Sequence, residues 1–195
     1  MFLCTAWAAN SYTLAMRHAS QAKLFDTPER LPTGLVYRPG FLTESEEEVL
    51  LAYIDNLSMP LLKFREHESR RHGMNFSPDM PVFLQPLQRR IAKWLDVPAR
   101  SINEAFVQEY PPGYGIGWHR DRETPLVVGI SLRGWARMRF RPLDKIGDAK
   151  AVVSFEVEPR SAYVMQKEIA TRWQHSVAPV EARRYSITFR TLPLV

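Results

Sequence analysis

Cysteine is almost missing from this 195-residue chain, where Cys4 is the only one. A single cysteine excludes an intramolecular disulfide and any zinc site built on several thiolates. A reducing, cytoplasmic location is therefore expected, and a bound metal would have to be held by histidine and carboxylate. No apolar run approaches the ~20 residues of a membrane span, so no membrane association is expected. Acidic residues are absent from the first 25 positions. The run "FLCTAWAA" found there has no basic segment ahead of it and makes a poorly formed signal peptide. Residues 1–30 are expected to be a flexible tail, with Met16 an alternative start. Glycine is scarce too, nine against fifteen prolines. That balance favours short elements and many turns over a helical bundle.

What is present is the composition of a globular protein, 45% hydrophobic and 24% charged, at the length of one domain. The expectation is a single domain over 31–195, with helices up to about residue 100 and β-structure from 101. A net charge of +5 and a pI near 9.5 suit a polyanionic partner without proving one.

"LPTGLVYRPGF" reads as a short strand between turns, and Thr43 with Glu46 forms a capping box ahead of a helix. Val49, Leu50, Tyr53, Ile54 and Leu57 make the expected apolar stripe of that helix. Leu61–Pro81 is charged and lacks a period, so it is expected to be loop. A second helix, about Val82–Leu95, puts Leu84, Leu87, Ile91 and Trp94 on one face. From Ile102 the period changes to two: "EAFVQEY", "LVVGISL", "WARMRFR", "AVVSFEVE", "SAYVMQ" and "RRYSITFR" read as strands with no helices between them. That order excludes a parallel βαβ sheet and predicts an antiparallel sandwich or barrel. Trp135 is expected to pack inside it.

"YPPGYGIGWHRDRE" mixes turn residues with a His-x-Asp pair. No helix follows the glycines, so a dinucleotide or phosphate cradle is excluded, and they read as a turn. On an extended segment His119 and Asp121 leave the same face, as two ligands of one metal would. Taken alone, the pair reads better as a surface charge pair. "HSVAPVEARRYSITFR" adds His175, expected in a loop, and a strand on which Arg184, Ser186, Thr188 and Arg190 share a face. Two arginines on one face of a core-like strand call for an anion. Two histidines and a carboxylate make the facial triad of non-haem Fe(II) oxygenases, which a 2-oxo acid can chelate, its far carboxylate held by arginine. The ligand set does not itself choose the metal, and a cupin-type zinc or manganese protein has similar ligands.

In "QEYPPGYGIGWHRD", "GISL" and "HSVAPVEARRYSITFRT" the chain resembles the AlkB-like 2-oxoglutarate and Fe(II)-dependent dioxygenases, over roughly Leu31–Leu192. The resemblance implies an α+β, mainly β fold, a double-stranded β-helix (jelly-roll) core with N-terminal helices on one side. It implies iron ligation by His119, Asp121 and His175. Tyr110, Arg184 and Ser186 would bind the distal carboxylate of 2-oxoglutarate, with Arg190 near the chelating one. Gln108 stands where many relatives have Asn, and Glu123 matches an acidic position that touches the target base in some relatives. The implied activity is oxidative demethylation of alkylated DNA or RNA, using O2 and releasing formaldehyde, succinate and CO2, by a monomer. The segment "FREHESRRHGMNFSPD" departs from the family in being a shorter, aromatic-poor lid. Arg65, Arg70, Arg71 and the Arg137–Arg141 face are the expected phosphate contacts. Trp118, Trp135 and Phe76 are the candidate stacking partners for a base. His18, His67 and His72 are assigned to solvent. Two alternatives remain at this point: the same chemistry on a protein, tRNA or small molecule, and a non-catalytic nucleic-acid-binding module.

Overall fold

The computed structural model describes residues 31–64, 67–121 and 124–192, without the side chains of 63–70. The expectations for residues 1–30 and for Glu123, Arg65, His67 and the Arg70 side chain lie outside it. In chain order the elements are β1 (Leu35–Arg38), α1 (Glu44–Ile54), β2 (Leu61–Phe64), β3 (His67–Phe76), α2 (Gln85–Leu95), β4 (Glu104–Tyr110), β5 (Ile116–His119), β6 (Leu126–Leu132), β7 (Ala136–Pro142), β8 (Val153–Val157), β9 (Ala162–Gln166), α3 (Glu168–Arg172), β10 (Trp173–Val177) and β11 (Arg184–Arg190). They form a seven-stranded sheet, β1-β9-β6-β11-β4-β3-β2, and a four-stranded sheet, β5-β10-β7-β8. Every pairing is antiparallel.

The large sheet has two buried faces, and strand alternation divides them. On β11, Tyr185, Ile187 and Phe189 point with Val107 of β4 and Ile130 of β6 toward Leu50, Ile54, Leu87 and Ile91 of the helices. The opposite face carries Tyr110, Val127, Tyr163 and Met165, which pack on Met138, Phe140, Phe155 and Val177 of the small sheet. The site lies on this second face, between the sheets.

Four sequence expectations need correcting. Leu61–Pro81 is no loop, because β2 and β3 form a hairpin whose inner strand pairs with β4 from His72↔Glu109 to Phe76↔Ala105. Its inward residues Gly73 and Asn75 are not apolar because the sheet there faces the polar interior, which erases the hydrophobic alternation. The α1 stripe is narrower than its periodicity suggests: Val49 is 58% and Tyr53 53% exposed, while Glu47 is buried. Glu47 is inside because it accepts the Arg133 backbone N–H at 2.7 Å and Arg160 Nη1 at 2.9 Å. His175 lies on strand β10, where it pairs with Phe140 and His119. Trp135 is 52% exposed and outside the barrel.

The capping box is present: Glu46 N–H donates to Thr43 Oγ1 at 3.2 Å and Thr43 N–H donates to Glu46 Oε2 at 2.9 Å. Gly129, opposite Tyr163 in the β6–β9 pairing, is required sterically. A Cβ there would lie 2.0 Å from Tyr163 Cζ, so the phenol ring lies across the glycine. Thr43→Ala should lower stability by about 1 kcal/mol. Gly129→Ala should cost about 1–3 kcal/mol through overpacking. Urea midpoints at unchanged m-value measure both.

Candidate metal and cosubstrate site

β4 ends at Tyr110, and the turn through Gly113, at φ +82°, carries the chain into β5. Gly115 is needed because a Cβ there would sit 2.2 Å from the Val177 carbonyl oxygen. This close approach of β5 to β10 sets His119 against His175, with ring centroids 4.2 Å apart. The ligand-capable atoms of His119, Asp121 and His175 all lie within 4.8 Å of one another. His119 Nδ1–H donates to the Gly117 carbonyl at 2.8 Å, which leaves Nε2 with its lone pair toward the cluster.

Electrostatics prepares these groups for a cation. Burial alone would raise the Asp121 carboxyl, but Arg190 and the two imidazoles outweigh it and hold it below the usual carboxylate range. Burial, reinforced by His119, pushes His175 down to about 4 against the pull of Asp121. His175 is therefore neutral at pH 7. Its 3.8 Å approach to Asp121 is two ligands facing a common point rather than an ion pair. Arg190 Nη2 donates to Asp121 Oδ1 at 2.9 Å and Nη1 to Glu104 Oε2 at 3.3 Å, which orients the carboxylate. Two histidines and a carboxylate so arranged suit Fe(II) and leave coordination positions open.

Next to the triad stands an unbalanced cation. Arg184 is 1% exposed; its Nε donates to Ser131 Oγ at 3.0 Å, and among the described residues Nη1 and Nη2 have no hydrogen-bond partner. Its guanidinium carbon lies 5.0 Å from the Tyr110 ring centroid. Ser186 is buried opposite Gln108 of β4 and Ser131 of β6. The bare fork is a built receptor for a carboxylate, so the residues present fit 2-oxoglutarate. The expectation that both arginines await an anion is half corrected, because Arg190 already has Asp121 and Glu104.

The structure thus brings together His119, Asp121, His175, Gln108, Tyr110, Arg184, Ser186 and Arg190 around one interior. Three side chains there escaped sequence reasoning. Tyr163 shares the Gly129 face, and burial pushes its phenol up to about 12; the alternation of "SAYVMQ" opposite a glycine was the available signal. Glu104, 4% exposed, accepts from Asn75 Nδ2 at 2.8 Å as well as from Arg190. Arg71, expected on a phosphate, is 6% exposed and donates to Gln108 Oε1 at 2.9 Å. His72, expected in solvent, has Nδ1 at 3.5 Å from Glu109, on the sheet's other face.

The expected stacking residues do not reach the site. Trp118 lies on the outer face of the small sheet under Arg139 and Arg141, 5.2 and 4.3 Å from its centroid. Phe76 packs edge-on against Phe83. A cleft of about 180 Å³ lined by Asn75, Glu104, Phe106 and Arg190 adjoins the triad through Arg190. No helix among the described residues is long and apolar enough to cross a membrane.

Comparison with known proteins agrees with this geometry. An uncharacterized protein of Acanthamoeba polyphaga mimivirus, L905, is 24% identical over 78% of this chain and 81% of its own length. The Arabidopsis thaliana "Alkylated DNA repair protein ALKBH8 homolog" is 25% identical over 79% of this chain, which spans 53% of that protein. The Danio rerio "Probable RNA/DNA demethylase ALKBH6" is 24% identical over 76% of this chain and 71% of its own length. Among solved structures, OsALKBH1 superposes with a TM-score of 0.64 at 14% identity, over 83% of this chain and 100% of that one. A Pseudomonas putida prolyl-4-hydroxylase gives 0.57 at 16% identity, over 80% of this chain and 91% of that one. Both likenesses speak to the shared jelly-roll fold. The family profile of the 2OG-Fe(II) oxygenase superfamily matches residues 64–190. With a two-histidine, one-carboxylate centre and a bare buried arginine in that fold, the chain belongs to the 2OG-Fe(II) oxygenases and is an AlkB-like dioxygenase.

Proposed function

We propose that this dioxygenase removes N-alkyl groups from nucleic-acid bases. The observation that carries the reading is the cleft beside the triad, whose lining combines the aromatic Phe106 with the polar Asn75 and Glu104. A flipped base is held in this way, by stacking plus hydrogen bonds to its edge. Gly73 makes room for that ring, since a Cβ there would lie 3.0 Å from Phe106 Cζ. The names carried by the Arabidopsis and Danio relatives point to the same substrate class.

In this reading His119, Asp121 and His175 hold Fe(II), and Arg184, Tyr110 and Ser186 receive the distal carboxylate of 2-oxoglutarate. Gln108 donates to the cosubstrate, and Arg190 keeps Asp121 aligned while lying near the chelating carboxylate. Glu123, outside the described residues, is proposed as a contact to the target base. Bound iron with 2-oxoglutarate supplies the oxidation, which puts one atom of O2 into the alkyl C–H bond and the other into succinate, with loss of CO2. The resulting N-hydroxymethyl group leaves as formaldehyde. The protein's own residues anchor the acid, aim the carboxylate ligand and keep water from the interior with Val127, Met165, Phe140 and Val177. Arg139 and Arg141 hydrogen-bond only the neutral Ser176 and Gln174 among the described residues, so their charge is available to phosphates. Arg137 is paired with Glu156 at 2.6 Å.

Purified protein with Fe(II), 2-oxoglutarate, O2 and an N-methylated oligonucleotide should release formaldehyde and succinate in equal amounts, with an oligonucleotide KM that rises steeply with salt. Succinate without formaldehyde from any methylated oligonucleotide would reject the nucleic-acid reading and favour a protein or small-molecule substrate. Arg184→Met should weaken 2-oxoglutarate binding by about ten- to a hundredfold, as expected for loss of a charge-assisted fork, and leave divalent-metal affinity intact. Titration of the metal and of the acid separately checks this.

A further inference from the structure

Arg71 is a charged side chain almost fully buried on the inner face of β3. Its Nη1 donates to Gln108 Oε1 at 2.9 Å, and Tyr110 Oη–H donates to the same oxygen at 3.4 Å. Two donors on one amide oxygen turn the NH2 of Gln108 the other way, and among the described residues no acceptor takes it up. The opposite flip would press that NH2 against a guanidinium, so the charge of Arg71 decides the orientation. The guanidinium carbon of Arg71 also lies 5.4 Å from the Tyr110 centroid, and that of Arg184 lies 5.0 Å from it. The two cations reach the ring from the strands flanking β4.

We propose that Arg71 is a positioning residue for the cosubstrate: from the β2–β3 hairpin it fixes Gln108 as an N–H donor and braces Tyr110 for an acid held by Arg184. Arg71 does not touch the reacting atoms and acts through Gln108 and Tyr110. The role rests on the 2-oxoglutarate reading of the cavity and is independent of whether the substrate is a nucleic acid. It also gives the hairpin, whose sequence looks like a solvated charge run, a task inside the site. A buried guanidinium costs too much to serve solubility, and on this face it orients Gln108 and Tyr110.

The test is anaerobic calorimetry of 2-oxoglutarate binding to the Mn(II)-loaded protein, with no nucleic acid present. Arg71→Met should weaken binding about tenfold, the effect of one charge-assisted hydrogen bond. Arg71→Lys should restore part of the loss, and Mn(II) affinity should stay unchanged throughout. On a Gln108→Ala background Arg71→Met should add less than about a twofold change, because the two residues act as one unit. Parental affinity in Arg71→Met overturns the proposal, as does an equal loss with and without Gln108, which would mark Arg71 as merely structural. Should Arg71→Met not fold, Arg71→Gln carries the same expectations. A parent protein that binds Mn(II) but no 2-oxoglutarate overturns the cosubstrate reading and this role with it. The demethylation assay can fail without touching either.

Discussion

A guanidinium that is shut away from water, with neither terminal nitrogen hydrogen-bonded among the described residues, sets the conditions for the rest of the molecule. Burying Arg184 without a full set of acceptors costs ~1–3 kcal/mol or more, which the surrounding core must absorb. That core is double. One layer, between the large sheet and the helices, is apolar throughout its centre. The other, between the two sheets, is apolar at one end and charged at the other. The first layer supplies stability that the second, organised around the site, gives up in part.

Charge balance inside the barrel follows from the same constraint. Arg190 is neutralised twice, by Asp121 and Glu104, and in exchange fixes the direction of a metal ligand. Arg184 has a serine hydroxyl and the Tyr110 ring but no carboxylate among the described residues, so its charge is left for a ligand. The distinction between a structural and a receptive arginine depends on what faces each one. On the strand both occupy equivalent alternating positions.

This explains how much could be read from the sequence. The jelly-roll core was legible because short alternating or fully apolar runs follow one another with no helical period between them, and "EAFVQEY" and "LVVGISL" match β4 and β6 to the residue. The triad was legible because His119 and Asp121 share a face and the arginine strand follows His175. The β2–β3 hairpin was not, since its inner strand faces a polar cavity and carries Arg71, Gly73 and Asn75 where a strand facing an apolar core would carry Val or Ile. Arg71 escaped for the same reason, as a buried charge in a charged run looks like all the others. Trp118 was read as a stacking partner for a base and Trp135 as packing inside the barrel, since an aromatic residue in a β-rich segment suggests an interior position. Here one lies beneath two arginines on the outer face, and the other stands at the exposed end of a turn.

The alternation of β11 has a further consequence. Its odd-numbered residues Tyr185, Ile187 and Phe189 build the helix-side core, and its even-numbered ones carry Arg184, Ser186 and Arg190 into the cavity. Removing or adding one residue would exchange the two sets, sending guanidinium groups into the apolar layer and aromatic rings into the site. A strand that serves two interiors at once can be altered residue by residue but cannot change length, so any insertion tolerated by this fold must fall in its loops.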